Sequence, residues 1–407
     1  MIGADERQRP AMRVAALLVL LCVAASTLLG ACEEAGASAG PGESLGSSQL
    51  GGGGSGVAPG GGAGIMTSFL EAQIAALRDG TRTERADAAK ALGQLGDRAA
   101  VPALITALGD ESWTVREGAA TALGVLRDPA AIDALLALIA VEPSQAATDD
   151  AAAVGACDAA VTALGLLGDT RAVPRLVAIA LDDGTALDRA GAEAAIVEIG
   201  PGAVAGIATA LTRASSGNAA MLAQLIARFG DPGFGPLVKA LSNKSTAVRV
   251  AAATALDAYG ARAGKPLIVA LGDRTTAVRV AAAHSLGVIG ATGPTAALVK
   301  LLSTRATRNA AVNALVAIHR DNATPLVKYL RSRATVMVYR PLIRIGQANT
   351  VSALVKAIRS FGDKTMGETY LNCGNPTLEK AARAWGTAHG YVVVPSGGVD
   401  GESWGAH

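Results

Sequence analysis

Few residues in this chain have types able to do chemistry. Its 407 residues include 4 Cys and 4 His. Thiolate and imidazole are the usual metal ligands, nucleophiles and proton carriers, but their spacing here builds none of these. Cys22 lies inside an N-terminal apolar run and Cys32 just after it, which leaves Cys157 and Cys373 in the body, with no Cys-x-x-Cys and no paired His. Zinc sites and disulfide scaffolds need regular spacing, so no metal is expected. Cys157 reads as a small buried hydrophobe. There is no Gly-x-Ser-x-Gly elbow and no Walker loop, and Gly51 to Gly54 do not join a strand to a helix. His284 stands alone on the outward side of a helix, where solvation is the ordinary outcome. His319 stands where other segments carry a helix-stopping Gly, so it reads as a helix C-terminal residue. No catalytic residue and no cofactor are expected.

The elements that must position any site are helices. Hydrophobic residues make up 50% of the chain but aromatics only 3%. A core filled by Ala, Leu, Val and Ile suits closely spaced helices better than a β-sandwich. The formal net charge of +2, with 17% charged residues, gives no global reason to expect nucleic acid.

The N-terminus reads as an address. Arg13 precedes an apolar run from Val14 to Leu29, too short for an ordinary span and shaped like a signal peptide. It ends in Leu29, Gly30, Ala31 and Cys32, which resembles a bacterial lipobox. That resemblance implies cleavage before Cys32 and lipidation of its thiol. Glu33 follows rather than Asp, which by the same resemblance favours the outer membrane if the organism is Gram-negative. The acidic residues before Met12 fit a leader poorly, so translation could start at Met1 or Met12. Residues 35 to 64 are dominated by Gly, Ser, Ala and Pro and read as a flexible spacer. The expected divisions are a signal peptide over 1–31, lipidated Cys and linker over 32–67, a repeat array over 68–363, a closing repeat over 364–390 and a tail over 391–407.

The body repeats itself. Apolar pairs three residues apart recur at Leu92/Leu95, Leu123/Leu126, Leu164/Leu167, Ile196/Ile199, Ile226/Phe229, Leu256/Tyr259, Leu286/Ile289, Leu315/Ile318 and Leu342/Ile345. Their first members lie 31, 41, 32, 30, 30, 30, 29 and 27 residues apart, the 41 reflecting an insertion around Val141 to Asp150. Such a period marks a helical solenoid. Each unit reads as two short helices, with Gly260, Gly290 and Gly346 as stops for second helices. Pro341 falls inside a second helix and should kink or break it.

Aligning the units on these pairs brings Arg116, Arg189, Arg249, Arg279 and Arg308 to one position. Six residues before the first four stand Asp110, Asp183, Asn243 and Asp273. Asp, five residues, Arg, then Ala-Ala-x-x-Leu-Gly resembles the HEAT repeat, especially the bacterial type related to phycobilin-lyase repeats. The resemblance covers residues 68–390. It implies an all-α, right-handed solenoid of about ten two-helix repeats, with second helices lining a concave face. It also implies that these Asp and Arg residues form a structural ladder between units. Cys157, Ala219 and Thr335 interrupt the Arg row. After Asp363 the pattern changes, and Asn375 and Pro376 open an atypical end helix that Gly390 stops, as a cap requires.

Bilin-lyase chemistry would be a further implication, but no residue here supports it, and the His-Glu pairs of HEAT-type hydroxylases are absent. The expected function is a lipid-anchored scaffold or adaptor at the bacterial cell envelope, facing the periplasm or the cell surface and sitting on the outer membrane or a periplasm-facing membrane if the cell is Gram-negative, that binds a protein or peptide partner on its concave face and no nucleic acid. Candidate contacts are Trp113, Thr254, His284, Asn313, Tyr339, Arg340 and Arg344. The last two close a basic run with Lys328, Arg331 and Arg333. The alternatives are a lyase-like accessory protein and a structural protein that grips an anionic envelope component through that run.

Overall fold

The computed structural model describes residues 61–140, 151–182, 187–395 and 402–406. The expected signal peptide, Cys32, the spacer as far as residue 60, the insertion around Val141 to Asp150 and Asp183 lie outside these residues; residues 61–64, expected in the spacer, instead open the first helix. The helices in chain order are α1 (Gly61–Asp79), α2 (Arg82–Leu95), α3 (Val101–Ala107), α4 (Trp113–Leu126), α5 (Ile132–Ala140), α6 (Ala151–Leu167) and α7 (Val173–Leu181). They continue as α8 (Arg189–Ile199), α9 (Val204–Thr212), α10 (Ser216–Ala227), α11 (Asp231–Ala240), α12 (Thr246–Ala255), α13 (Gly264–Ala270) and α14 (Thr276–Val288). The last are α15 (Thr295–Leu301), α16 (Arg305–His319), α17 (Thr324–Val327), α18 (Tyr339–Ile345), α19 (Val351–Phe361), α20 (Lys364–Leu371) and α21 (Pro376–Ala388). Odd and even helices alternate as the first and second members of repeated pairs up to α18. This is an all-α repeat solenoid. A short antiparallel hairpin, β1 (Tyr391–Pro395) with β2 (Glu402–Ala406), follows the last helix.

Local chemistry sets the joints. Second helices end at left-handed or otherwise positive-φ glycines, with Gly260 at φ 54°, Gly290 at 64° and Gly346 at 72°, as their positions predict. In one unit the same place is held by Arg127, at φ 50°. Just beyond, Asp97, Asp128 and Asp169 each accept a bond from the backbone N–H two residues on, which opens the turn into the next first helix. At the end of the array, the Asn375 side chain accepts from Thr377 and Leu378 N–H groups, so it caps α21 as expected.

Even helices stack on one another from α2 to α8 and again from α10 to α18. Small residues allow this. A Cβ added to Gly93, Gly124, Gly165 or Gly287 would meet the Cα of Ala122, Ala163, Ala195 or Ala314 at 2.9, 3.0, 2.7 and 3.0 Å. Each Gly directly follows the first apolar residue of its repeat pair, and each Ala directly precedes that of the next unit. At the α8–α10 joint the corresponding residues are Val197 and Leu225. There the second helices hardly touch, while the first helices α7, α9 and α11 pack in succession. Bulk on one row and a small residue on the other account for the change: Gly206 of α9 lies so close to Val173 that a Cβ would sit 2.7 Å from its Cγ1. The stretch Arg189–Thr212 is apolar and long enough to cross a membrane by composition. It is, however, the pair α8 and α9, divided at Gly200 with φ 82°.

Pro341 has the effect its position predicts. The ninth second helix is split into a 3-10 turn at Val336–Val338 and the short α18, with Pro341 in the first turn of α18. A proline is tolerated there because first-turn N–H groups have no partner within the helix.

Candidate interaction face

The Arg and Asp row forms the framework under the second-helix face. Arg249, only 3% exposed, donates from Nε to Asp273 Oδ2 at 2.8 Å and from Nη2 to Oδ1 at 3.1 Å. It also donates to the Asn243 and Lys244 carbonyls at 3.0 and 3.1 Å. The carboxylate therefore belongs to the Arg of the preceding unit. Within a unit, each Arg donates to the backbone carbonyl six residues back and to no carboxylate: Arg116 to Asp110, Arg279 to Asp273 and Arg308 to Leu302. Arg189 departs slightly and donates to the Ala180 carbonyl.

Arg85 is a member of this row that the sequence reading missed. It pairs with Asp110 at 2.8 Å, and it precedes Leu92 by the same seven residues that separate Arg116 from Leu123. That spacing was the available signal. Asn243 follows the unit in which Ala219 replaces Arg. Its amide supplies its own donor, to the Thr212 carbonyl of that preceding unit at 3.3 Å. A carboxylate at position 243 would have no Arg to meet.

The Asp273 carboxyl is held below its usual range by the hydrogen bonds from Arg249 and by the Thr275 N–H, against the opposing effect of burial. For Asp110, burial works to raise the pKa, but bonds from Arg85 and the Ser112 N–H outweigh it and the net shift is downward. Both pairs join neighbouring units.

The candidate contact residues divide. Thr254, His284 and Asn313 are exposed on successive even helices, and Arg344 is exposed and donates to Asn313 Oδ1 at 2.6 Å. Two candidates need correction. Tyr339 is fully buried, with its ring edge-on to Tyr370 at a centroid distance of 5.9 Å, because the split second helix turns it into the core of the closing repeats. It cannot contact a partner from there. Trp113 is the first residue of α4. It is half-buried against the core and covered by the Arg116 guanidinium, 4.1 Å from the ring centroid. Arg340 is half-buried, its guanidinium 5.5 Å from the Tyr339 ring.

Two depressions lie along the array. One, of about 490 Å³, crosses α10, α12 and α14, with Ala220, Gln224, Ala247, Val250 and Thr254 in its lining. The other, of about 540 Å³, lies between the eighth and ninth units. His319 closes α16 there, buried, with Nε2 2.9 Å from Thr295 Oγ1. Burial pushes its pKa down. Cys157 is buried and its thiol pKa is pushed up by burial, as an inert core cysteine requires. Among the described residues no cluster of three or more His, Cys, Asp or Glu could hold a metal ion.

Residues 70–156 match the family of HEAT repeats, and residues 156–182 match the PBS lyase HEAT-like repeat. Over residues 70–182 the repeats are of HEAT type, within an array that is an all-α repeat solenoid throughout. No curated protein matches the chain. Among solved structures, human deoxyhypusine hydroxylase is 20% identical, with 64% of this chain and 99% of that one covered at a TM-score of 0.27. The CpcE–CpcF complex of phycocyanin lyase from Nostoc sp. PCC7120 is also 20% identical, with coverages of 76% and 100% and a TM-score of 0.29. Kap121p bound to Nup53p is 16% identical over 79% of this chain, which spans 41% of its length, at a TM-score of 0.43.

Proposed function

We propose that this HEAT protein is a non-catalytic scaffold, tethered to the cell envelope by a lipid on Cys32, that holds a protein partner on its second-helix face. The observation that carries this reading is the groove across α10, α12 and α14. It is apolar at its floor, exposed Gln224 and Thr254 line it, one per unit, and exposed His284 holds the equivalent position in the next unit. Small side chains and single polar groups repeated at unit spacing suit recognition of an extended surface, whereas catalysis needs convergent groups around one reacting atom.

A photo-crosslinking residue placed at Thr254 or His284 in the native cell should capture a discrete partner. The same residue at Val269, on α13 and 79% exposed, should not. Equal capture from both places would remove the basis for the assignment. The tether is tested separately: Cys32→Ala should leave the precursor unprocessed or release the chain from membranes. A wild-type mature N-terminus without lipid would end that part of the proposal.

A second reading rests on the PBS lyase HEAT-like match at residues 156–182. It is an accessory role in attaching a bilin to a protein. A bilin absorbance band on the purified chain would favour it over the scaffold.

A further inference from the structure

The net charge of +2 conceals a division of the array. Between Ser68 and Thr212 the chain carries 10 Lys and Arg against 20 Asp and Glu, while between Arg213 and Arg344 it carries 18 against 4. The sign changes at the joint where the even-helix row opens. The basic half is therefore far longer than the run from Lys328 to Arg344.

Two of its four acidic residues are already neutralised, Asp273 by Arg249 and Asp231 by Arg262. Many of its cations are not. Arg213, Lys244, Arg274 and Arg305 are all exposed, each in or next to a turn leading into an even helix. The first three stand just before Ser216, Thr246 and Ala277, which line the apolar groove. The groove thus has a floor of small aliphatic side chains, and in each unit an exposed cation precedes its lining by two or three residues, which we take as its rim.

Resting on the scaffold reading, we infer that this groove takes an extended acidic peptide segment of the partner, with aliphatic side chains on the floor and carboxylates at the rim. Packed helices lie about 8–10 Å apart, and an extended polyproline II chain rises about 3.1 Å per residue with three residues per turn, so every third side chain faces the same way. A carboxylate at every third peptide residue therefore meets successive cations. Single-stranded nucleic acid is disfavoured, because base stacking needs exposed aromatics and the groove lining contains none.

The test is fluorescence anisotropy on the full chain, with a labelled peptide of repeated Glu-Val-Ala units as probe. A Lys-Val-Ala peptide, a Glu-Gly-Ser peptide and a single-stranded oligonucleotide serve as comparisons. The Glu-Val-Ala peptide should bind best and weaken as salt rises. The double change Lys244→Glu with Arg274→Glu should weaken it by about tenfold or more, equivalent to about 1.4 kcal/mol, and so should Ala220→Glu on the exposed side of the floor. Unchanged helical content and melting in these variants show that they fold. Equal binding of the acidic and basic peptides, or no effect of the charge reversals, overturns the inference. Tighter binding of the oligonucleotide overturns it too, as does salt-sensitive self-association of the chain that excludes the peptide. If the peptide fails while crosslinks from Thr254 still capture a partner, the groove assignment falls and the scaffold reading stands.

Discussion

Arg249 and Asp273 face one another across a repeat boundary, joined by two hydrogen bonds of 2.8 and 3.1 Å. Arg279, the equivalent of Arg249 one unit on, has no such carboxylate; it donates to the Asp273 and Arg274 carbonyls and to Thr276 Oγ1. Arg249→Ala should therefore cost about 3 kcal/mol, as expected for breaking a buried pair and stranding its partner. Arg279→Ala should cost about 1.5 kcal/mol, at the low end of the range for hydrogen bonds to a charged group. Urea unfolding of both variants, read at several probes because repeat arrays need not unfold in one step, checks the difference. Equal losses would contradict the cross-boundary assignment.

The same pair predicts acid sensitivity. Asp273 has a folded pKa below its unfolded value. Its contribution is complete above the unfolded pKa and is lost as pH falls through the folded one. Asp273→Asn should lower stability at neutral pH and flatten the decline in acid, measured as melting temperature against pH.

His319 acts in a higher window. Burial lowers its folded pKa, so the unfolded chain binds the proton more readily. The contribution of neutral His319 is complete above its unfolded pKa, about 6.5, and is lost as pH falls below that value. His319→Gln should remove this component, leaving stability between neutral pH and the onset of carboxylate titration more nearly constant. An unchanged pH profile would show that the ring is free to protonate in place.

The small-residue seam gives an opposed pair of substitutions. In Gly165→Ala the new Cβ would lie 2.7 Å from the Cα of Ala195, and overpacking of this kind costs about 1–3 kcal/mol. Gly217, in the first turn of α10, has open space around it and no proline after it. Gly217→Ala should stabilise by up to about 1 kcal/mol through helix propensity. Thermal melts of the two variants should shift in opposite directions.

Arg127 occupies a left-handed position that other units give to Gly. Arg127→Gly should stabilise by about 1 kcal/mol by removing the steric cost of a side chain there. A lower melting temperature would mean that the Arg side chain compensates for its backbone.

By itself the sequence determined the elements and their period. Apolar pairs at unit spacing encode helices, and glycines at φ 54° to 72° stop them, because both depend on residues within a few turns of each other. The row of Arg residues was legible for the same reason, and Arg85 could have been added from its distance to Leu92. Charge division was also present in the sequence, but the sum over the chain hid it. The tertiary structure decided which groups meet across units: Asp273 with Arg249 rather than Arg279, and Tyr339 with Tyr370 in the core rather than with a partner. It also decided the open joint at Val197 and Leu225. Periodicity fixes which face of a helix turns inward, whereas the partner of a side chain depends on how closely the next unit stacks, and that closeness is set by the size of residues in both units together.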